Sequence, residues 1–151
     1  MNLPELCNEM HEFLRDRHAD VLQRAAFNAE HEPEMVLSPA QAHVKLIGNE
    51  VDLVSLDEVG GRIAATLIVV YPPGIAVMVP GERFAEDSAA TAYLRLFEES
   101  DNLFPGFESE MQGVYTRRCG DRVRYFTYVV RERATSHRAP ASSGAKWAGL
   151  D

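Results

Sequence analysis

Residues 61–82 read GRIAATLIVVYPPGIAVMVPGE, and this stretch decides the fold. Residues 62–71 are rich in β-branched side chains and become apolar on both faces toward their end, which predicts a strand buried on both sides. The strand must end at Pro72-Pro73-Gly74, because neither proline can donate a hydrogen bond to a sheet. Residues 75–79 form a second short extended run, and Pro80-Gly81 turns the chain again.

Four segments outside this stretch have the sequence pattern of helices. Pro4 fits the first turn of one helix, and apolar side chains follow it at helical spacing. A second, short helix is predicted over residues 19–27. Ser38-Pro39 combines a capping hydroxyl with proline at the first helical position, so a third helix runs to about Ile47. A fourth runs from residue 87 or 88 through Glu99, with one face formed by Ala89, Ala90, Tyr93, Leu94 and Phe97.

Further strands are predicted before and after the fourth helix. Residues 51–55 alternate as a short strand, and residues 113–117 and 122–130 make a hairpin whose turn contains Gly120. Ser55 and Glu58 are spaced as in a capping box, which predicts one helical turn over residues 56–59. Helices come first, and strands follow with one more helix between them. The predicted fold class is therefore α+β, with a small, mainly antiparallel sheet and helices packed on it.

The composition is typical of one soluble globular domain. The chain has 151 residues, of which 46% are hydrophobic and 25% are charged. We expect a domain over residues 1–133 and a mobile tail over residues 134–151, where apolar side chains are too few to offset the entropy of ordering. The net charge of −8 argues against a nucleic acid or an anionic membrane as a partner.

The sequence contains no recognisable catalytic or metal-binding motif. It has no nucleophile elbow, Walker loop, dinucleotide fingerprint or HExxH pattern. Cys7 and His11 lie one helical turn apart, and the surface of an amphipathic helix is a better interpretation of this spacing than a nucleophile and its base. The two cysteines, Cys7 and Cys119, are far apart in the chain, which favours a reducing, cytoplasmic setting. The longest apolar stretch, residues 63–71, is too short to span a bilayer.

Residues 61–82, together with FPGFE at residues 104–108, strongly resemble the C-terminal domain of the bacterial ornithine/lysine/arginine decarboxylases. The resemblance reaches back to LCNEMH at residues 6–11 and covers roughly residues 3–131. It implies a piece of a large pyridoxal-phosphate enzyme of the aminotransferase-like fold. Members of this family make a polyamine or diamine from a basic amino acid and resist acid stress.

The resemblance also implies which groups this chain does not supply. In the family, the lysine that holds the cofactor follows a histidine in an earlier domain. The two lysines of this chain, Lys45 and Lys146, are not in such a pair. We therefore expect no catalytic residue and no cofactor-binding residue here, with pyridoxal phosphate bound in the parent enzyme and not by this chain alone.

The expected partners are the catalytic domains of the same or a related decarboxylase and further copies in a homo-oligomer. Apolar patches at residues 75–79 or 104–107 would be the expected contacts. The domain would then have a structural or substrate-entrance role. The alternative is a free-standing binding or regulatory module derived from such a domain.

Glu82 and Tyr71 are the candidate residues for a substrate entrance. In one interpretation, Glu82 lies at the mouth of the parent enzyme's substrate path and attracts a cationic side chain. In the other, which we favour, residues 71–82 form a rigid corner. Glu82 then pairs with an arginine such as Arg83 or Arg62, or helps to cap the next helix.

Overall fold

The computed structural model describes residues 2–28 and 32–132, which form four helices and two three-stranded antiparallel sheets. This confirms the α+β class. The predicted tail, residues 134–151, lies outside the described residues. The helices are α1 (Leu3–Asp16), α2 (Ala19–Ala26), α3 (Pro39–Ile47) and α4 (Ala89–Leu103), and the strands are β1 (Val51–Ser55), β2 (Ile68–Tyr71), β3 (Ile75–Met78), β4 (Glu110–Gln112), β5 (Tyr115–Cys119) and β6 (Arg122–Val130).

The two sheets have the strand orders β1-β6-β5 and β3-β2-β4. The strand predicted over residues 62–71 is only partly right, because β2 covers its last four residues. Its first half makes single bridges, from Ile63 to Arg83 and from Ala64 to Val129 of β6. The Ala65 N–H also donates to Tyr128 O at 3.0 Å. The segment therefore connects the two sheets and does not extend one strand.

Serine hydroxyls cap the starts of α3 and α4, and the cap of α3 is the one that the sequence predicts. Ser38 caps α3, with its hydroxyl accepting from the Gln41 N–H and Pro39 in the first turn. Ser88 caps α4 in the same way through the Thr91 N–H. Ser55 and Glu58 pair as their spacing predicts, because the Glu58 carboxylate accepts from the N–H and the hydroxyl of Ser55. Residues 56–59 nevertheless form a hydrogen-bonded turn, with the Glu58 N–H donating to Ser55 O at 2.9 Å, and not the predicted helical turn.

The main core lies between α4 and the two sheets. Ala90, Tyr93 and Leu94 of α4 are buried, which confirms most of the predicted inward face. They pack against Ile68 of β2 and Val129 of β6 in one cluster that spans both sheets. The helices α1 and α2 contain no buried residue. Among the described helices, none has the length and apolar character that crossing a membrane requires.

Candidate functional site

Glu82 closes the turn that follows β3. Its carboxylate accepts a hydrogen bond from the Val79 N–H at 2.6 Å, and its own N–H donates to Val79 O at 3.1 Å. Its carbonyl accepts from the Ala64 N–H at 2.8 Å, and the backbone bridges Met35. Glu82 therefore joins this turn both to the segment that connects the sheets and to the loop before α3.

The Glu82 carboxylate is half-buried and lines a cleft of about 370 Å³. Phe27, Met35 and Val77 form part of the apolar wall, and Glu32 is a second acidic group at the cleft. Burial raises the pKa of Glu82, the hydrogen bond from Val79 lowers it, and the charge of Glu32 raises it again. The cleft therefore combines negative charge with an apolar surface.

The predicted ion pair between Glu82 and an arginine does not form. The Arg83 guanidinium instead donates to Gly61 O at 2.6 Å and lies 3.3 Å from Glu132. Arg62 pairs with Asp52 at 3.0 Å. Glu82 does not cap α4 either, because Ser88 does so. A carboxylate also accepts hydrogen bonds from backbone N–H groups. Here the turn places the Val79 N–H next to Glu82, while both arginines are bonded to other groups.

Tyr71 is the last residue of β2 and stands opposite Glu110 of β4. Its side chain is 42% exposed, and its ring packs against Gly74, where an added Cβ would come within 2.9 Å of Cε1. Tyr71 lies beside the turn between β2 and β3, whereas Glu82 follows the far end of β3. The structure therefore does not bring the two candidate entrance residues together.

A buried polar network that the sequence pattern did not predict joins α4 to β6. Asp101 is 4% exposed and Tyr125 is 1% exposed, and the Tyr125 hydroxyl donates to Asp101 Oδ2. The Ser109 N–H donates to Asp101 Oδ1 at 3.3 Å, and the Tyr125 N–H donates to Glu98 Oε2 at 2.6 Å. The network fixes the end of α4 against the centre of the first sheet.

The environment of Asp101 opposes its ionisation. Burial raises the pKa of this carboxyl most strongly, the hydrogen bonds from Tyr125 and Ser109 lower it, and the charge of Glu108 raises it. Burial likewise raises the pKa of the Tyr125 hydroxyl. Asp101 lies seven residues after Leu94, on the same buried face of α4. The helical spacing would have predicted a buried Asp101 if the predicted helix had continued past Glu99.

Asp101→Asn should change how stability depends on pH. Because the folded-state pKa of Asp101 is raised, its contribution is fully present below the ordinary value of 3.8 and is lost as the pH rises through the raised pKa. The wild type should therefore lose stability relative to the Asn variant as the pH rises from acid to neutral. Urea unfolding of both proteins across this range measures the difference. A difference that grows in favour of Asp101 with rising pH would contradict the prediction.

The family model described as "Orn/Lys/Arg decarboxylase, C-terminal domain" matches residues 20–131. The chain belongs to this family. This decarboxylase C-terminal domain is 41% identical over 127 residues to ornithine decarboxylase of Haemophilus influenzae, a match that covers 83% of the chain and 17% of the relative. It is 39% identical over 130 residues to constitutive ornithine decarboxylase of Escherichia coli, covering 85% of the chain and 18% of the relative.

The fold of this decarboxylase C-terminal domain is also found in solved structures. Constitutive lysine decarboxylase of E. coli superposes with a TM-score of 0.73 at 30% identity, over 86% of this chain and 18% of that one. Lysine decarboxylase of Francisella novicida gives a TM-score of 0.72 at 31% identity, over 86% and 18% of the two chains. The domain thus spans less than one fifth of the length of these relatives, and nearly all of the described fold takes part in the match.

Proposed function

We propose that this chain is the C-terminal domain of a pyridoxal-phosphate-dependent decarboxylase of ornithine, lysine or arginine, and that it contributes structure and not catalytic groups. The match over residues 20–131 carries this proposal, because it includes both sheets and three of the four helices. The matched relatives named above are decarboxylases of ornithine and lysine. The catalytic domains of such an enzyme are the proposed partners.

We propose that the described residues do not hold the cofactor. An aldimine requires a lysine amine that is accessible beside a phosphate-binding site. Lys45 instead holds its ammonium 2.7 Å from Glu50 Oε2 at the end of α3. No group of three or more His, Cys, Asp or Glu in residues 2–28 and 32–132 could hold a metal ion either. The chemistry in this proposal therefore belongs to the other domains.

Grafting the chain into a relative tests this role directly. In E. coli constitutive ornithine decarboxylase, the C-terminal domain is replaced by this chain. We expect a soluble enzyme that binds pyridoxal phosphate and releases carbon dioxide from ornithine. The pure chain should show neither an aldimine absorbance band nor carbon dioxide release with any of the three amino acids. An inactive, insoluble graft beside an active parent enzyme would refute the assignment, as would decarboxylation by the pure chain.

Within this role, Glu82 is the better supported candidate for a substrate entrance. Its half-buried carboxylate and Glu32 give one apolar cleft a negative charge, which suits a primary ammonium on an alkyl chain. Tyr71 remains a candidate only if the catalytic domains approach the opposite end of the β2–β3 hairpin.

Glu82→Gln in the grafted enzyme separates the entrance role from the structural one. Gln keeps an acceptor for the Val79 N–H and removes the charge, so the isolated variant should unfold at nearly the same urea concentration. An entrance role predicts a KM for ornithine that rises about threefold to tenfold with kcat unchanged, since one screened charge contributes about 1 kcal/mol to steering. Tyr71→Phe is the matched control at the other candidate. An unchanged KM in the Gln variant would leave Glu82 with its structural role alone.

A second candidate function, a free-standing binding or regulatory module, is favoured by the continuity of the core. One cluster of buried side chains connects both sheets and α4, as in a domain that folds without a partner. Sedimentation of the pure chain distinguishes the candidates. A soluble monomer with no tendency to aggregate supports the module, whereas association through exposed apolar patches supports a domain separated from its enzyme.

A further inference from the structure

The N-terminal helix α1 has an apolar face that this chain covers only in part. Asn2 caps the helix in a full capping box with Glu5, and Leu6, Met10 and Phe13 follow at helical spacing. None of its 14 residues is buried, although Phe13 packs edge-on against Phe104 with ring centroids 5.7 Å apart. A helix of this length is marginal in water unless its apolar face is packed. Something further should therefore cover the first half of this face.

A cleft of about 440 Å³ lies beside that uncovered half. Leu3 and Leu6 of α1 form one wall, and Leu103, Phe104 and Phe107 form the other. Phe104 is 8% exposed and anchors the wall, whereas Leu3, Leu103 and Phe107 are 68%, 55% and 50% exposed. Glu9 is the single charged residue among the described residues that line the cleft. This concentration of half-exposed apolar side chains is typical of a docking surface.

We propose that the cleft between α1 and residues 103–107, the α1 cleft, receives an apolar segment of the catalytic part of the decarboxylase that precedes this domain. This inference rests on the proposed function. The family description places the matched residues at the C-terminal end, and the matches cover 17% and 18% of the two ornithine decarboxylases. In such an enzyme, most of the polypeptide therefore arrives at the start of α1, where Asn2 and Leu3 form the rim of the cleft.

The position of the cleft beside the start of α1 favours the preceding segment as its occupant over a segment that is not covalently attached nearby. A segment that precedes α1 is covalently held near the cleft, so its effective concentration there is high and little entropy is lost on docking. The cleft is large enough for a few apolar side chains, and its weak charge suits an apolar occupant. The loop at residues 104–107 would then be part of the interface.

A double variant of the grafted enzyme, Leu3→Glu with Phe107→Glu, tests the docking. Both side chains are at least half exposed, and Glu in the first turn of a helix is favourable, so the isolated chain should keep its circular dichroism spectrum. In the graft, two carboxylates would have to be buried against apolar surface. The half-life of the junction before Asn2 under limited proteolysis should fall at least about tenfold. The matched control is Val44→Glu with Ile47→Glu on α3, where the side chains are 59% and 69% exposed and lie outside the cleft.

The possible results are distinct. Equal protease resistance of the two double variants in an otherwise active graft would overturn the docking proposal and leave the function intact. If Leu3→Glu with Phe107→Glu abolishes dimerisation of the active graft but leaves the junction before Asn2 resistant to the protease, the proposal is overturned in favour of a second copy. Failure of the unmodified graft to assemble would refute the proposed function, and the docking proposal with it.

Discussion

Gly81→Ala should destabilise the domain severely, whereas Gly106→Ala should have a much smaller effect. Both glycines have strongly positive φ, +98° and +95°. A Cβ at Gly81 would lie 2.0 Å from the Leu37 carbonyl oxygen, and at Gly106 it would meet nothing within 4 Å. We expect a loss of about 1–2 kcal/mol at Gly106, from the left-handed backbone alone. At Gly81 the loss should exceed about 4 kcal/mol, a large share of a typical total stability of about 5–15 kcal/mol.

The clash at Gly81 cannot be relieved cheaply, because the neighbouring backbone is held by hydrogen bonds. Gly81 O accepts from the Val36 and Leu37 N–H groups at 2.9 and 3.1 Å, and its N–H donates to Ala64 O at 2.8 Å. Urea unfolding of the two variants, followed by circular dichroism, gives the comparison. Similar losses at the two positions would mean that the backbone conformation alone, and not the close approach of Leu37, fixes glycine at position 81.

Tyr125→Phe should destabilise the domain by about 1.5–3 kcal/mol at neutral pH, the usual range for a hydrogen bond to a charged group. The change removes the hydroxyl that donates to Asp101 and leaves the buried carboxylate with the Ser109 N–H. Because the Tyr125 hydroxyl lowers the pKa of Asp101, its contribution is present when Asp101 is ionised. The loss should therefore shrink as the pH falls.

Tyr115→Phe is the matched control for this prediction. Tyr115 is 46% exposed, and its ring contacts Tyr128 with centroids 5.2 Å apart, a contact that phenylalanine retains. Its loss should stay within about 0.5 kcal/mol, as for most surface changes. Calorimetric or urea unfolding at neutral and acidic pH would decide. An equal effect of the two substitutions, or a loss at Tyr125 that grows on acidification, would exclude the hydrogen bond as the cause.

Features that depend on neighbouring residues were predicted well from the sequence. The bounds of α3 follow from the Ser38-Pro39 start, and the bounds of β1 from its alternation, because caps and side-chain periodicity act within a few residues. Gly120 and the alternating apolar face predict the hairpin of β5 and β6 for the same reason, although β5 covers Tyr115–Cys119 and not the predicted residues 113–117. The residues of the family resemblance were also sufficient to identify the family.

Features that depend on distant partners were missed. α4 continues four residues past Glu99, where Asn102 accepts from the Val123 N–H at 2.7 Å and donates to Val123 O at 2.9 Å, 21 residues along the chain. The strand β4 was not predicted, because its three residues are ordered by pairing with β2. The predicted arginine partner of Glu82 was wrong. Charge alone favours an arginine, but it does not show that the turn places the Val79 N–H beside the carboxylate.

The segment between Ile63 and Ala65 connects the two sheets, because its backbone bonds to β6 on one side and to the turn after β3 on the other. In addition, α4 packs across both sheets. If the parent enzyme opens and closes during turnover, this domain should move as a rigid body. Any bending would then occur at the boundary between this domain and the rest of the proposed enzyme, and the internal structure of the domain would stay unchanged.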